Sequence, residues 1–135
     1  MSASSPKHKP IDALPAQTVR SLAGSDVDEL RQWAAHAGHR FVLVECSDCV
    51  DKDALLKAIG RAFAFPEWYG ANFDALYDCL TDLPERGAPG WIVMLERIPG
   101  EPTFSAAERD ALLDVFRDAA DDFAEQHVGL RVFYS

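Results

Sequence analysis

Two groups of residues in this sequence have the types and spacing that chemistry requires. Cys46 and Cys49 have the CxxC spacing of a redox pair or of half a zinc site. Asp74 and Asp78 stand four residues apart, where two carboxylates can act as a general acid and base or can bind a basic partner. Which of these roles each pair can have depends on the helices, strands and loops that position the side chains.

The CxxC pair gives weak support for a metal or redox centre. A structural zinc site needs two more ligands, and nothing in the sequence brings His36 or His39 to the two cysteines. The chain has three cysteines, so one must stay unpaired, and it lacks the pattern of a disulfide-stabilised secreted domain. We interpret the thiols as reduced and expect no metal or other cofactor, with a zinc or redox role as the alternative.

The charge balance disfavours direct binding to nucleic acid, because the chain carries 22 acidic residues against 13 Lys and Arg. The acidity is also uneven, since residues 41–135 contain 8 of these bases and 18 of the acids. A folded domain with this negative charge attracts a basic protein partner electrostatically, although a role in keeping the protein soluble would also explain the charge.

No apolar run approaches the roughly 18 residues of a membrane span. The first residues, MSASSPKHKP, lack the apolar core of a signal peptide. We therefore expect a cytoplasmic protein without membrane contact, and a monomer is the simplest assembly. Residues 1–24 are rich in Ser, Pro, Ala and Lys and are predicted to form a flexible N-terminal arm, followed by a single domain over residues 25–135.

Apolar periodicity and capping residues predict an α/β domain. Four helices are expected. The first covers Asp26–Ala37 after a Ser25–Asp28 capping box, and the second runs from Asp51 or Asp53 to the Phe65-Pro66 step. The third runs from Asn72 to about Leu83, and the fourth begins at a Ser105–Glu108 capping box. Strands are expected at Phe41–Val44, Trp91–Leu95 and Leu130–Tyr134. Strands separated by helices indicate a small three-stranded parallel sheet packed with helices.

The helix that follows Asn72 has two distinct faces. At about 100° per residue, the core side is Phe73, Leu76, Leu80 and Leu83, and the exposed side is Asp74, Tyr77, Asp78 and Thr81. Repulsion between the two carboxylates destabilises the helix by about 0.2–0.5 kcal/mol. The positive end of the helix dipole stabilises an acid in the first turn, such as Asp74, by about 0.3–1 kcal/mol. Charge placement alone therefore does not separate a binding face from an ordinary solvated one, and an open face suits acid–base catalysis poorly.

The segment Pro66–Leu83, PEWYGANFDALYDCLTDL, resembles the loop and second helix of the barstar family of intracellular ribonuclease inhibitors. That family has the signature Pro-Glu-aromatic-Tyr-Gly-x-Asn-x-Asp-Ala-Leu-x-Asp-Cys-Leu. The similarity extends more weakly from about Phe41 to Ser135 and includes VFRDA at Val115–Ala119. It implies a three-stranded parallel sheet with helices, here with an extra N-terminal helix, and binding rather than catalysis.

The resemblance assigns roles to individual residues. Asp78 matches a carboxylate that enters the phosphate-binding site of the nuclease, and Asp74 matches the acid beside it, so the two would imitate RNA phosphates. The partner-binding set that the resemblance implies is Trp68, Tyr69, Asn72, Asp74, Tyr77, Asp78, Thr81, Asp82 and Asp118. Fast, steered association and charged hot spots are known from the barstar–barnase pair itself, so the resemblance supplies that expectation.

Several positions differ from the family pattern. Trp68 stands where the family has a contacting tyrosine, Tyr77 where a tryptophan is common, and Asp118 where the family has a glutamate. Asp82 and Leu83 stand where the best-known member has glycine and tryptophan, both near its contact surface. The expected function is inhibition of a basic, barnase-type ribonuclease, and the alternative is an acidic binding or regulatory module for a non-nuclease basic partner. A further group of acids lies in the second half of the helix that follows Ser105, where the helix dipole opposes negative charge. These acids form either an ordinary solvated face or an anionic rim around the binding site. They are Asp114, Asp118, Asp121, Asp122 and Glu125.

Overall fold

The protein is an α/β fold with a fully parallel, four-stranded sheet. The computed structural model describes residues 15–22, 26–86 and 88–135. The strands are β1 (Gln17–Ser21), β2 (Arg40–Glu45), β3 (Gly90–Glu96) and β4 (Gly129–Tyr134), in the spatial order β1-β4-β3-β2. The helices are α1 (Val27–Ala37), α2 (Lys52–Phe63), α3 (Phe73–Thr81) and α4 (Ala106–Glu125), with a short 3-10 helix at Leu83–Arg86.

The strand count corrects the prediction of three strands. The three predicted strands are present as β2, β3 and β4, and β1 is a fourth strand within the stretch predicted to be a flexible arm. It pairs in parallel with β4, with Val19 opposite Val132. Because β1 is a short edge strand whose residues are half-buried or exposed, its sequence QTVRS has too few apolar residues to show a period. Of the predicted arm, residues 1–14 and 23–24 lie outside the described residues, as does Ser25 of the predicted capping box.

The sheet is covered on both faces, and this explains the continuous apolar sequence of β3. Successive side chains of a strand point to opposite faces. Ile92 and Met94 pack on one face against Leu30 and Ala34 of α1. The larger core on the other face joins β3 to α2, α3 and α4, and its members include Val93, Leu95, Leu55, Leu56, Ile59, Leu76, Leu80, Phe116 and Phe123.

Side-chain caps fix where the helices begin. Asp51 caps α2 by accepting from the Ala54 amide at 2.8 Å, and the predicted Ser105–Glu108 capping box opens α4. The box of α1 is one residue later than predicted, because the carboxylate of Glu29 reaches back to the amide of Asp26. No helix among the described residues is long and apolar enough to span a membrane.

The ends of α2 and α3 shape the segment between them. The helix α2 ends before Pro66 as predicted, and Ala64 adopts a left-handed conformation with φ of 56°. The helix α3 ends at Thr81, two residues earlier than predicted, and the chain continues in the 3-10 helix instead of entering a loop directly. The left-handed turn at Ala64 directs the chain away from α2 and toward the aromatic residues that precede α3.

Replacing Ala64 by glycine should stabilise the protein by about 0.5–1 kcal/mol, because the left-handed conformation costs a residue with a Cβ about 1–2 kcal/mol. The matched control is Ala62→Gly, since Ala62 is an exposed residue inside the same helix. That change should destabilise by about 0.5–1 kcal/mol. Urea unfolding of both variants tests the sign, and a loss of stability in both would contradict the role of Ala64.

Candidate functional site

The helix α3 presents its acids to solvent because its apolar stripe is buried. Leu76 and Leu80 are fully buried in the larger core, while Asp74 and Asp78 are exposed. Asn72 caps the helix by accepting from the Ala75 amide at 2.7 Å. The two faces predicted from helical periodicity are therefore present in the structure.

A groove of about 670 Å³ lies between α3 and α4. It brings Asp118 of α4 to the same surface as Asp74 and Asp78 of α3, although these positions are 40 or more residues apart in the sequence. Seven side chains from the two helices line it: Phe73, Asp74, Tyr77, Asp78, Val115, Asp118 and Asp121. We call this surface the acidic groove.

Within the described part of the chain, no carboxylate of the acidic groove forms an ion pair, and the cation found against a groove residue is Lys52, whose ammonium lies 4.8 Å from the centre of the Phe73 ring. The ion pairs found there are Lys57–Asp53, Arg97–Glu45 and Arg117–Asp114. Arg117 is the base next to Asp118 in sequence, but its guanidinium contacts Asp114 at 2.8 Å. The acids of the groove are thus not neutralised by ion pairs within the described fold.

Tyr77 lies where the acids of both helices converge. Its side chain is 36% exposed. Partial burial raises the pKa of Tyr77, and the nearby carboxylates of Asp122, Asp118, Glu125 and Asp78 raise it further. An aromatic ring surrounded by carboxylates is a suitable surface for a cation, because the ring face and the acids attract positive charge together.

Two adjacent aromatic residues before α3 have different environments. Trp68 is 61% exposed, whereas Tyr69 is half-buried and donates a hydrogen bond to the carbonyl oxygen of Leu56 at 2.9 Å. Burial raises the pKa of Tyr69 to about 12. A Cβ on Gly60 would lie 2.6 Å from the Tyr69 ring, so glycine in α2 provides the space for this ring. Tyr69 anchors the loop, and Trp68 projects from it.

The remaining predicted residues lie at the end of α3. The hydroxyl of Thr81 donates to the carbonyl oxygen of Asp78 at 3.1 Å, and Thr81 is half-buried. Asp82 is exposed at the C-cap, but Leu83 is only 1% exposed. Of the nine predicted residues, the structure brings four to the acidic groove, namely Asp74, Tyr77, Asp78 and Asp118.

Three residues that line the groove were not in the predicted partner-binding set. Phe73 was predicted to face the core, and both Phe73 and Val115 are half-buried at the edge of the core. Asp121 was left open between a solvated face and an anionic rim. The spacing of Val115, Asp118 and Asp122 places them on one side of a helix, but periodicity does not show which helix packs opposite.

The cysteines lie away from the groove lining. Cys46 is buried, and burial raises its pKa to about 12; the pKa of Cys49 is raised as well, again mainly by burial. A raised pKa disfavours the thiolate that redox and metal chemistry need. Within residues 15–22, 26–86 and 88–135, no group of three or more His, Cys, Asp or Glu side chains is placed to hold a metal ion.

Comparison with known proteins identifies two similarities. Residues 39–135 match the family model described as Barstar (barnase inhibitor), so β1 and α1 precede the matched region. The chain is also 26% identical over 92 residues to YrdF of Bacillus subtilis (strain 168), which is described as a candidate ribonuclease inhibitor. That alignment covers 64% of this chain and 92% of YrdF.

Replacing Tyr69 by phenylalanine should lower stability at pH 7 by about 1 kcal/mol, because the hydrogen bond to Leu56 is lost. The raised pKa gives a second expectation. Between pH 10 and about 12 the unfolded state loses the phenolic proton while the folded state keeps it, so the contribution of the Tyr69 hydroxyl to stability decreases as pH rises.

Urea unfolding of the wild type and of Tyr69→Phe from pH 7 to pH 11 measures both effects. The difference between them should be largest at pH 7 and shrink above pH 10. Tyr134→Phe is the control, since no hydrogen bond of its hydroxyl is found among the described residues. Equal stability of Tyr69→Phe and wild type at pH 7 would show that the hydrogen bond does not anchor the loop.

Proposed function

This chain belongs to the barstar family, and we propose that it inhibits a barnase-type ribonuclease by placing the acidic groove against the active site of that enzyme. The observation that carries the proposal is that Asp74, Asp78 and Asp118 lie on one surface formed by two helices, without an ion-pair partner among the described residues. The protein acts by binding in a defined ratio and has no catalytic role of its own.

The chemistry of the target explains why carboxylates serve as the inhibitory groups. A ribonuclease active site holds arginine, lysine and protonatable histidine around a phosphodiester. Asp78 and Asp74 present anionic oxygens in place of the phosphates, and charge-assisted hydrogen bonds in a desolvated site are about twice as strong as neutral ones. Free RNA is then excluded because its phosphates compete for the same cations.

The other residues have supporting roles in the proposal. Trp68 precedes α3 and Asp82 is its C-cap; both are exposed and contact the rim of the enzyme. Tyr77 lies under an incoming cation, while Tyr69 and Asn72 hold the loop and the start of α3 in place. Anchoring of these two segments before the partner arrives reduces the entropy lost on association.

A non-nuclease basic partner is the second candidate, because uncompensated acids on a groove bind any complementary cationic surface. The two candidates differ in one measurable property. An inhibitor of this family abolishes RNA cleavage by barnase or by another small basic ribonuclease at a ratio near one to one. Unchanged cleavage by every enzyme of such a panel would overturn the ribonuclease proposal and favour the second candidate.

Asp78→Ala should weaken binding to barnase by about 2 kcal/mol or more, which is about 30-fold in Kd; charged hot spots of this size are known from the barnase–barstar pair itself. Stability should change by less than about 0.5 kcal/mol, because Asp78 is exposed and its carboxylate has no partner among the described residues. Calorimetric titration gives Kd, and thermal unfolding gives stability.

The control for this substitution is Asp28→Ala. Asp28 is an exposed acid of α1, which covers the opposite face of the sheet. The Asp28→Ala substitution removes the same formal charge at a position outside the groove. The Kd of this variant for barnase should therefore stay within about 2-fold of the wild-type value. An Asp78→Ala variant that binds as tightly as the control would contradict the role of Asp78.

Association with barnase should be steered by charge. Raising the ionic strength from about 0.05 to 0.5 M should lower the association rate constant at least about 10-fold, because salt screens the long-range attraction between the acidic domain and its basic partner. The dissociation rate should change much less. Stopped-flow fluorescence measures both rates, and an association rate independent of salt would argue against electrostatic steering.

A further inference from the structure

We propose that a cavity at the amino ends of the strands binds a phosphate group, either as free phosphate or as the end of a phosphate ester. The cavity has a volume of about 370 Å³. Gln17 and Gly129 line it where β1 and β4 begin, and His39 lines it just before β2. This amino-end cavity shares no lining residue with the acidic groove, so the inference does not depend on the proposed function.

The charge of the cavity lining differs from that of the whole chain. Its described residues include one arginine and two histidines but no Asp or Glu, whereas the chain has a formal net charge of −9. The three basic residues come from separate parts of the fold: His39 precedes β2, His127 follows α4, and Arg131 belongs to β4. A cavity lined by basic groups attracts anions. The ligand is therefore an anion.

Arg131 is the central basic residue of this cavity. It is only 7% exposed, and its guanidinium lies 4.9 Å from the centre of the Trp33 ring. A cation buried to this degree is costly unless hydrogen bonds and opposite charge compensate it. A guanidinium has five N–H donors in a planar fork. Arg131 can therefore donate to a phosphate oxygen in addition to the contacts that it makes within the chain.

Glycine residues leave space for the basic side chains. A Cβ on Gly129 would lie 3.8 Å from Nη1 of Arg131, and a Cβ on Gly90 would overlap the ring of His39. Nδ1 of His39 donates to the carbonyl oxygen of Ala37 at 3.2 Å, which fixes the orientation of the ring. Its Nε2 can then donate to a ligand in the protonated form of the imidazole.

A phosphate group suits this lining better than a carboxylate, because its oxygens accept hydrogen bonds from several directions. Arg131 and His127 donate to two of these oxygens, and protonated His39 donates to a third. The carboxyl end of α4 opposes an anion here, since Ala124 also lines the cavity and the helix end carries roughly half a negative charge. The three basic side chains together outweigh this partial charge.

Titration of the full chain with inorganic phosphate tests the inference, with adenosine monophosphate as a second arm. The ionic strength is held constant with sodium chloride, at about pH 6, within the range in which histidines generally change charge. The ring proton signals of His39 and His127 should shift and saturate in NMR spectra. The signals of His36, an exposed residue of α1 outside the lining, should not follow them.

His127→Asn should raise the Kd for inorganic phosphate about 10-fold, because a hydrogen bond to a charged group is lost. Asparagine tolerates the left-handed conformation of this residue, which has φ of 61°. The matched control is His36→Asn, which removes an imidazole outside the cavity and should leave this Kd within about 2-fold of the wild-type value. Circular dichroism checks that both variants keep the fold.

Each outcome supports or overturns the inference. Saturation by both probes assigns the site to the phosphate group itself, and saturation by one probe alone assigns it to free phosphate or to an ester. Shifts that never saturate, or an equal Kd for His127→Asn and His36→Asn, would overturn it. Acetate that saturates the same signals with the affinity of phosphate would also overturn it, since the cavity would then accept any anion.

Discussion

The site depends on the packing of α3 through Leu76 and Leu80. A helix of nine residues is too short to be stable in water by itself, so burial of its apolar stripe holds it in place. Both leucines are fully buried, and each contributes about 1.5–3 kcal/mol. Repulsion between neighbouring carboxylates costs only about 0.2–0.5 kcal/mol per pair. The burial of the two leucines therefore contributes more free energy than the repulsion between the acids costs. It fixes the orientation of α3, with its acids facing the solvent.

Because α4 lies beside α3, the groove combines charge from two helices. Phe116 and Phe123 bury one side of α4 in the larger core, which leaves Asp118 and Asp121 beside α3. The loop before α3 is anchored separately by Tyr69 on α2. Three elements thus hold α3 and the loop before it in place, and a surface that is already formed loses less entropy if it binds a partner.

Local sequence signals account for much of this arrangement. The caps at Asn72 and Ser105 and the stripe of leucines in α3 depend on residues within one or two turns, so sequence reasoning identified them. The edge strand β1 was missed because its pattern is short and it depends on pairing with β4, more than a hundred residues later. The same reason explains why the packing of α3 against α4, and with it the place of Asp121, was not predictable from periodicity.

The position of β4 has a consequence for the order in which the sheet can assemble. It lies between β1 and β3 in the sheet, although it follows the other three strands in sequence. Until β4 is in place, β1 has no neighbouring strand, and the pairing of β2 with β3 forms half of the sheet. Contacts between such distant residues form slowly because a long loop must close first. Because Phe116 and Phe123 of α4 share the larger core with Leu130 and Val132 of β4, the acidic groove reaches its final form only after this distant pairing has formed.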